Sequence, residues 1–361
     1  TKEAAEKKDD FTATVEQVTS EDKAQEMLTL WRKADHVSVY ALPDLSVIGV
    51  LCHVDENNAV MAELFFDRYA GDWNALLNAL FADDIKKVSH NVKDLIRTLL
   101  ENGLCADGFI FDTALAAYLL DATAAQYDLQ RLFVAYYHEE LPKPVHLEDD
   151  AFSLLGDTVA AEAALDSYTT AIDALYETLL PLLQERDMWT LYTTAELPLC
   201  RVLAEMEMAG FKVDSKALTE FGQMLSATIE QLENRIYEAA GAPFNINSPK
   251  QLGAVLFETL QLPHGKKTKT GWSTNADVLD KLRYEHPIVD DVLTYRQYTK
   301  LKSTYADGLL KVIEPDGRIR TNFQMTVTAT GRLSSTEPNL QNIPTRTELG
   351  SQMRRMFVAD E

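Results

Sequence analysis

The 361-residue chain is 46% hydrophobic and 25% charged, which allows two or three domains with their own cores and excludes a mostly disordered protein. It carries no apolar run of membrane-spanning length and no secretory leader pattern, and Cys52, Cys105 and Cys200 stand apart without CxxC spacing, so a cytoplasmic chain without a disulfide framework or zinc site is expected. The formal charge of −22 is uneven: residues 1–187 hold 14 basic and 35 acidic side chains, the remainder 20 and 21, and residues 318–355 six Arg against two Glu, so phosphate contact is expected of the second part.

In chain order, the residues up to about Ser20 read as a polar lead-in. From Val37 to Phe66 the apolar runs VSVY, VIGVLCHV and VMAELFF, separated by DLS and DENN, predict strands joined by turns. Helices are predicted over Trp73–Phe81, Asp94–Glu101 and Thr113–Leu120, and the mixture points to an α/β domain around a mixed sheet. A Pro- and acid-rich loop, Glu140–Asp150, precedes a helix over Val159–Gln184. The second part opens with a helix from Glu196 to Met208, with Gly210 as its stop. Asp214 or Ser215 then caps a long helix to about Ala239, since Leu218, Phe221, Leu225, Ile229 and Leu232 recur every three or four residues. Ser248-Pro249-Lys250-Gln251 has capping-box spacing with Pro in the first helical position.

The run TATGRLSSTEPNLQNIP, Thr328–Pro344, is too polar for a core. Gly331 allows close backbone approach, Arg332 offers a planar fork of donors, and Asn339, Gln341 and Asn342 add carboxamides. These donors suit the minor-groove edge of a duplex, where every base pair shows a purine N3 and a pyrimidine O2 as acceptors. A surface loop with amide-capped turns is the alternative reading of the same residues. Together with RTELG (Arg346–Gly350) and RRMFVA (Arg354–Ala359), the run resembles the start of the palm of family A DNA polymerases. FNINSPKQLG (Phe244–Gly253), KKTKTGWST (Lys266–Thr274) and YRQYTKLKSTY (Tyr295–Tyr305) resemble the thumb of the same family.

That resemblance implies an α/β, ribonuclease H-like exonuclease domain with a mixed sheet over residues 1–187, a mainly helical thumb over 188–312, and the first strands of an α+β palm over 313–361. A 3′–5′ exonuclease of this kind needs about four carboxylates around two divalent metals. The positions that match them carry Tyr40, Leu42 and Leu95, with Asp94 one residue early and therefore about 100° around the helix. Tyr168 is followed four residues later by Ile172, and Asp112 matches a position expected to be structural. The nuclease is therefore expected to be inactive, with no metal bound and no catalytic residue in the chain. An active proofreading nuclease on single strands is the alternative, and a scaffold that holds no DNA by itself is a third reading.

The resemblance further implies DNA contacts from Asn247, Ser248, Lys250, Lys266, Lys267, Lys269, Arg296, Lys300, Lys302, Arg332, Asn339, Gln341 and Asn342, with Arg346 near the incoming nucleotide. Ser248 also reads as a simple cap, and the tyrosines near Arg296 as packing. The partners implied are primer–template DNA and deoxynucleoside triphosphates, for replication and repair by a monomeric, nucleoid-associated enzyme. Mg²⁺ is implied for synthesis, on aspartates expected beyond Glu361, which would make the chain an internal piece of a polymerase.

Overall fold

The computed structural model describes residues 11–142, 156–263, 267–268 and 271–360. By internal contact the chain forms two compact units, one running to Ala209 and including residues 322–336, the other made of residues 210–321 and 337–361. The three-part division expected after residues 187 and 312 is thus grouped by contact into two.

The first unit is built on a sheet of six strands among the described residues: β1 (Thr12–Gln17), β2 (Val37–Ala41), β3 (Val47–His53), β4 (Asn58–Phe65), β5 (Lys87–Ser89) and β6 (Phe109–Asp112). Their order is β1-β4-β3-β2-β5-β6. The meander β2–β3–β4 is antiparallel, with Val39 opposite Val50 and Val50 opposite Ala62, while β1, β5 and β6 join in parallel. The lead-in reading of the first twenty residues is corrected: Thr12–Gln17 is an edge strand, and Ser20 caps helix α1 (Glu21–Trp31) by accepting from Lys23 N at 3.3 Å. Ala13 and Val15 alternate with polar neighbours, but the strand is mainly exposed and holds only these two apolar residues, so its parallel pairing with β4 left little local signal.

Helices α2 (Trp73–Leu80), α3 (Val92–Glu101), α4 (Thr113–Leu120), α5 (Leu129–Tyr137), α6 (Gly156–Glu185), the short α7 (Trp189–Leu191) and α8 (Leu197–Ala209) complete this unit. Val37, Val39, Ile48, Val50 and Cys52 share the main core with Trp31, Leu77 and Leu80. The alternate side chains of β2 and β3 meet α6, which comes so close at Gly49 that a Cβ there would lie 2.2 Å from Thr169 Oγ1. Fully buried Lys87 closes the end of α2 by donating to the carbonyls of Leu80, Ala82 and Ile85 at 3.1, 2.6 and 2.6 Å. Residues 322–336 form a hairpin in which Asn322–Gln324 pairs antiparallel with Ser334–Thr336. Much of the expected loop Glu140–Asp150 lies outside the described residues.

The second unit contains β7 (Phe211–Lys212), α9 (Ser215–Ala240), α10 (Pro249–Gly253), β8 (Lys267–Thr268), β9 (Gly271–Trp272), α11 (Ala276–Lys281), α12 (Pro287–Lys300), α13 (Asp307–Leu310), β10 (Arg318–Ile319) and α14 (Glu348–Arg354). Gly210 enters it at φ +64°, hard against the Ile319 carbonyl, which suits glycine alone. Asp214 caps α9 by accepting from Ala217 N at 2.9 Å. α9 then runs through two cores, one with Leu301, Tyr305, Ile319 and Met353 around Leu218 and Leu225, the other with Leu252, Leu256, Leu279, Ile288 and Val292 around Leu232 and Ile236. Among the described residues no helix is long and apolar enough to cross a membrane.

Candidate nucleic-acid interface

The positions that would carry metal ligands in the first unit are packed with apolar groups. Tyr40, at the end of β2, lies against Tyr168 with ring centroids 5.1 Å apart, and with Leu42 it flanks Val47, Phe65 and Leu165. Leu95 packs on the main core and Ile172 is fully buried. Asp94 is exposed and pairs with Lys93 at 2.7 Å. The buried carboxylate next to Ile172, Asp173, is occupied: it accepts from Ser38 Oγ at 2.8 Å and lies 2.9 Å from His53 Nε2, stapling α6 to β2 and β3. That bond pushes His53 above its ordinary pKa, whereas burial pushes the neighbouring His36 down. A hard divalent ion needs several oxygen ligands at one point, and Tyr40, Leu42 and Leu95 do not fit one. Among the described residues no group of three His, Cys, Asp or Glu could hold a metal.

Asp112 has the structural position expected of it. Its carboxylate accepts from Asn91 N and Val92 N at the start of α3, and from Ala114 N and Leu115 N at the start of α4, at 2.8–3.3 Å. Burial pushes its pKa up to about 6 against the pull of those four N–H groups.

Arg332 stands in the hairpin of the first unit. Thr328 Oγ1 donates to the Arg332 carbonyl at 2.5 Å and closes the turn. Gly331 lies between them at φ +76° with open space where a Cβ would be, so conformation rather than crowding demands glycine here. The Arg332 side chain is exposed.

The carboxamides belong to the second unit. Asn339 Oδ1 accepts from Gln341 N at 3.0 Å and Asn342 N at 3.2 Å, an Asx-turn that stiffens the loop while Asn339, Gln341 and Asn342 stay exposed. Tyr305 Oη donates to the Asn342 carbonyl from behind. A cavity of about 610 Å³ opens between this loop and α12–α13, with Lys300, Thr304, Asn339 and Asn342 on its walls. Arg346 is exposed just before α14, whose first turn Thr347 caps through Gly350 N at 3.1 Å.

The remaining expected contacts scatter. Ser248 uses its oxygen as the α10 cap, accepting from Gln251 N at 3.4 Å; Asn247 is exposed and donates to Tyr295 Oη at 3.4 Å; Lys250 is exposed. Lys266 and Lys269 lie outside the described residues, and of Lys267 only the backbone is described, paired with Trp272. Arg296 does not extend a stripe with Lys300: it is half-buried and donates to Thr274 O and, at 3.3 Å, to Thr274 Oγ1, with burial lowering its pKa. Lys302 pairs with Asp307 at 2.5 Å, while Lys300 is exposed.

Sequence reasoning missed three buried polar centres: Asp173 with Ser38 and His53, the Lys87 cap, and Glu207. Glu207 is fully buried on α8, 2.7 Å from Lys93 Nζ and 3.2 Å from Arg97 Nη1, and accepts from Phe323 N at 2.7 Å. Asp173 and Glu207 find their partners more than 100 residues away, beyond the reach of any local pattern.

Comparison with known proteins places these features in context. Residues 215–361 match the family model described as DNA polymerase family A. The chain is 46% identical over 283 residues to DNA polymerase I of Geobacillus stearothermophilus, covering 76% of this chain and 32% of that protein. It is 43% identical over 288 residues to DNA polymerase I of Bacillus subtilis (strain 168), covering 77% and 32%. A solved structure, the POL domain of Pol1 from M. smegmatis in complex with DNA primer–template and dNTP, aligns with a TM-score of 0.80 at 33% identity, covering 96% of this chain and 59% of that one. The chain spans about a third of the length of the curated relatives it matches.

Proposed function

The chain belongs to DNA polymerase family A, and from that premise we propose that it is the duplex-holding portion of a template-directed DNA polymerase of the DNA polymerase I type, acting in replication and repair. In this reading residues 1–187 are a ribonuclease H-like, vestigial 3′–5′ exonuclease, residues 188–312 form the helical thumb, and residues 313–361 begin the palm. The observation that carries it is the run 328–346, whose exposed guanidinium and amide donors stand on turns closed by the hydrogen bonds of Thr328 and Asn339, with Gly331 permitting the positive φ of the first. Donors held on rigid turns grip the acceptors common to all base pairs without choosing among sequences. The primer–template and dNTP in the structure of the M. smegmatis relative support a duplex and a deoxynucleoside triphosphate as partners, and the sequence resemblance assigns Arg346 to the triphosphate.

The metal chemistry of synthesis is not assigned to this chain. Two divalent ions polarise the primer hydroxyl and the triphosphate in such reactions, and no ligand set for them occurs among the described residues. What the chain's own residues supply is binding and orientation. Arg332 of the first unit addresses the primer-terminal pair from the minor groove, the carboxamides of the second unit offer donors to minor-groove acceptors, and Lys300 meets phosphate. The packing of Tyr40, Leu42 and Leu95 supports a nuclease that does not cut.

The test is titration of a labelled primer–template with the chain across a salt series. Log K is expected to fall linearly with log salt, and Lys300→Ala to reduce the slope by about one. Arg332→Ala is expected to weaken binding several-fold, by about 1 kcal/mol, since phosphate contacts remain. Absence of binding at low salt would overturn the reading, and Mg²⁺-dependent shortening of a single strand would restore an active nuclease.

A further inference from the structure

We propose that the first unit is the seat of the Arg332 hairpin, and that Tyr118 on α4 is a positioning residue for Arg332, an inference that rests on the reading of Arg332 as a duplex contact. The hairpin has two strands of three residues each, too few for independent stability in water. Whatever holds its turn must come from outside it, and three tethers do so within the same unit.

The first is charge-assisted. Glu207, fully buried on α8 and held by Lys93 and Arg97 of α3, accepts from the backbone N–H of Phe323 at 2.7 Å. The second is apolar: Met325 packs on the main core, with its sulfur 3.8 Å from Cys200 Sγ. The third reaches the turn. Tyr118, whose ring is buried edge-to-face against Tyr127, donates through its hydroxyl to the carbonyl of Thr328 at 2.7 Å. Thr328 in turn donates through Oγ1 to the carbonyl of Arg332. Two consecutive hydrogen bonds therefore connect α4 to the backbone from which the Arg332 guanidinium projects. A tyrosine has only two side-chain torsions, and with its ring packed it is a rigid strut. In this way a unit whose expected metal-ligand positions are filled by tyrosine and leucine still serves DNA handling, by presenting an arginine that reaches it from a later part of the chain.

Tyr118→Phe removes the hydroxyl and keeps the ring, whereas changing Glu207 would leave two cations without their buried partner. Two measurements are made on the full chain. In amide hydrogen exchange without DNA, Tyr118→Phe is expected to speed exchange several-fold across 322–336 while the sheet amides of β2–β4 keep their protection. In primer–template binding it is expected to weaken affinity by about two- to fivefold in the unmodified chain, no more than Arg332→Ala itself, to have no further effect when combined with Arg332→Ala, and to leave the salt slope unchanged, because no phosphate contact is lost. Unchanged hairpin exchange, exchange raised equally throughout the unit, or an equal loss of affinity in the Arg332→Ala background would each overturn the proposal. If Arg332→Ala binds as tightly as the unmodified chain, the duplex role of Arg332 fails and the positioning role fails with it. The exchange result still reports separately whether Tyr118 seats the hairpin.

Discussion

His90 shows how one side chain ties stability to pH. Its Nδ1 lies 2.8 Å from Thr113 Oγ1 and its Nε2 is shut away from solvent without a hydrogen-bond partner among the described residues. Desolvation pushes its pKa down from 6.5 to about 4. The unfolded chain takes up a proton near pH 6.5 that the folded chain refuses until pH 4, so the stability tied to neutral His90 is complete above 6.5 and is lost as pH falls towards 4. The loss is roughly 1 kcal/mol per pH unit in that window. Asp112 acts in the opposite direction, its raised pKa of about 6 favouring the fold at acid pH, so the whole-protein profile mixes the two. Comparing urea midpoints of the unmodified chain and His90→Asn isolates the histidine. The unmodified chain is expected to lose more stability between pH 7 and pH 4.5, and parallel profiles would exclude the assignment. Nothing in the stretch Ser89-His90-Asn91 announces this, since the burial comes from the fold around it.

At the scale of elements, the caps were legible and the short strands were not. Asp214 and Ser248 could be assigned because a cap and its acceptor hydrogen bond span only three residues. α9 could be assigned because its apolar stripe repeats over about four turns, from Leu218 to Leu232. β5 and β6 have three and four residues, too short for a period to emerge, and β1 is mainly exposed. Asp112 joins both classes. Its role at the start of α4 is local, but the same carboxylate also closes α3 from 20 residues away. Asp112→Asn keeps the shape and replaces one acceptor oxygen by a donor that faces N–H groups. The expected cost is about 2–4 kcal/mol, two caps lost together and buried, measured by urea denaturation at pH 7.5. A cost below about 1 kcal/mol would show that α3 and α4 do not depend on it.

At the scale of the whole molecule, the second unit holds two cores strung on one helix rather than a single interior. Leu279→Ala cuts into the one formed with Leu232, Leu252, Ile288 and Val292 and is expected to cost about 2–5 kcal/mol. Amide exchange should then rise in α10, α11, α12 and the C-terminal half of α9, while the region around Leu218, Ile319 and Met353 keeps its protection; equal loss in both would mean one cooperative core. The sequence by itself determined the charge division, the long helices, their caps and the family resemblance of 328–350, because each depends on residue types at close spacing. Tertiary structure alone decided which acids are free and where the basic residues point. Asp173, Glu207 and Asp112 are bound to partners brought together by the sheet and its helices, and Arg296 is drawn inward by Thr274. It also assigned Arg332 to one unit and Asn339, Gln341 and Asn342 to the other, although only six residues lie between Arg332 and Asn339 in the chain. Burial and hydrogen-bond satisfaction are properties of the assembled chain, and no spacing along it can express them.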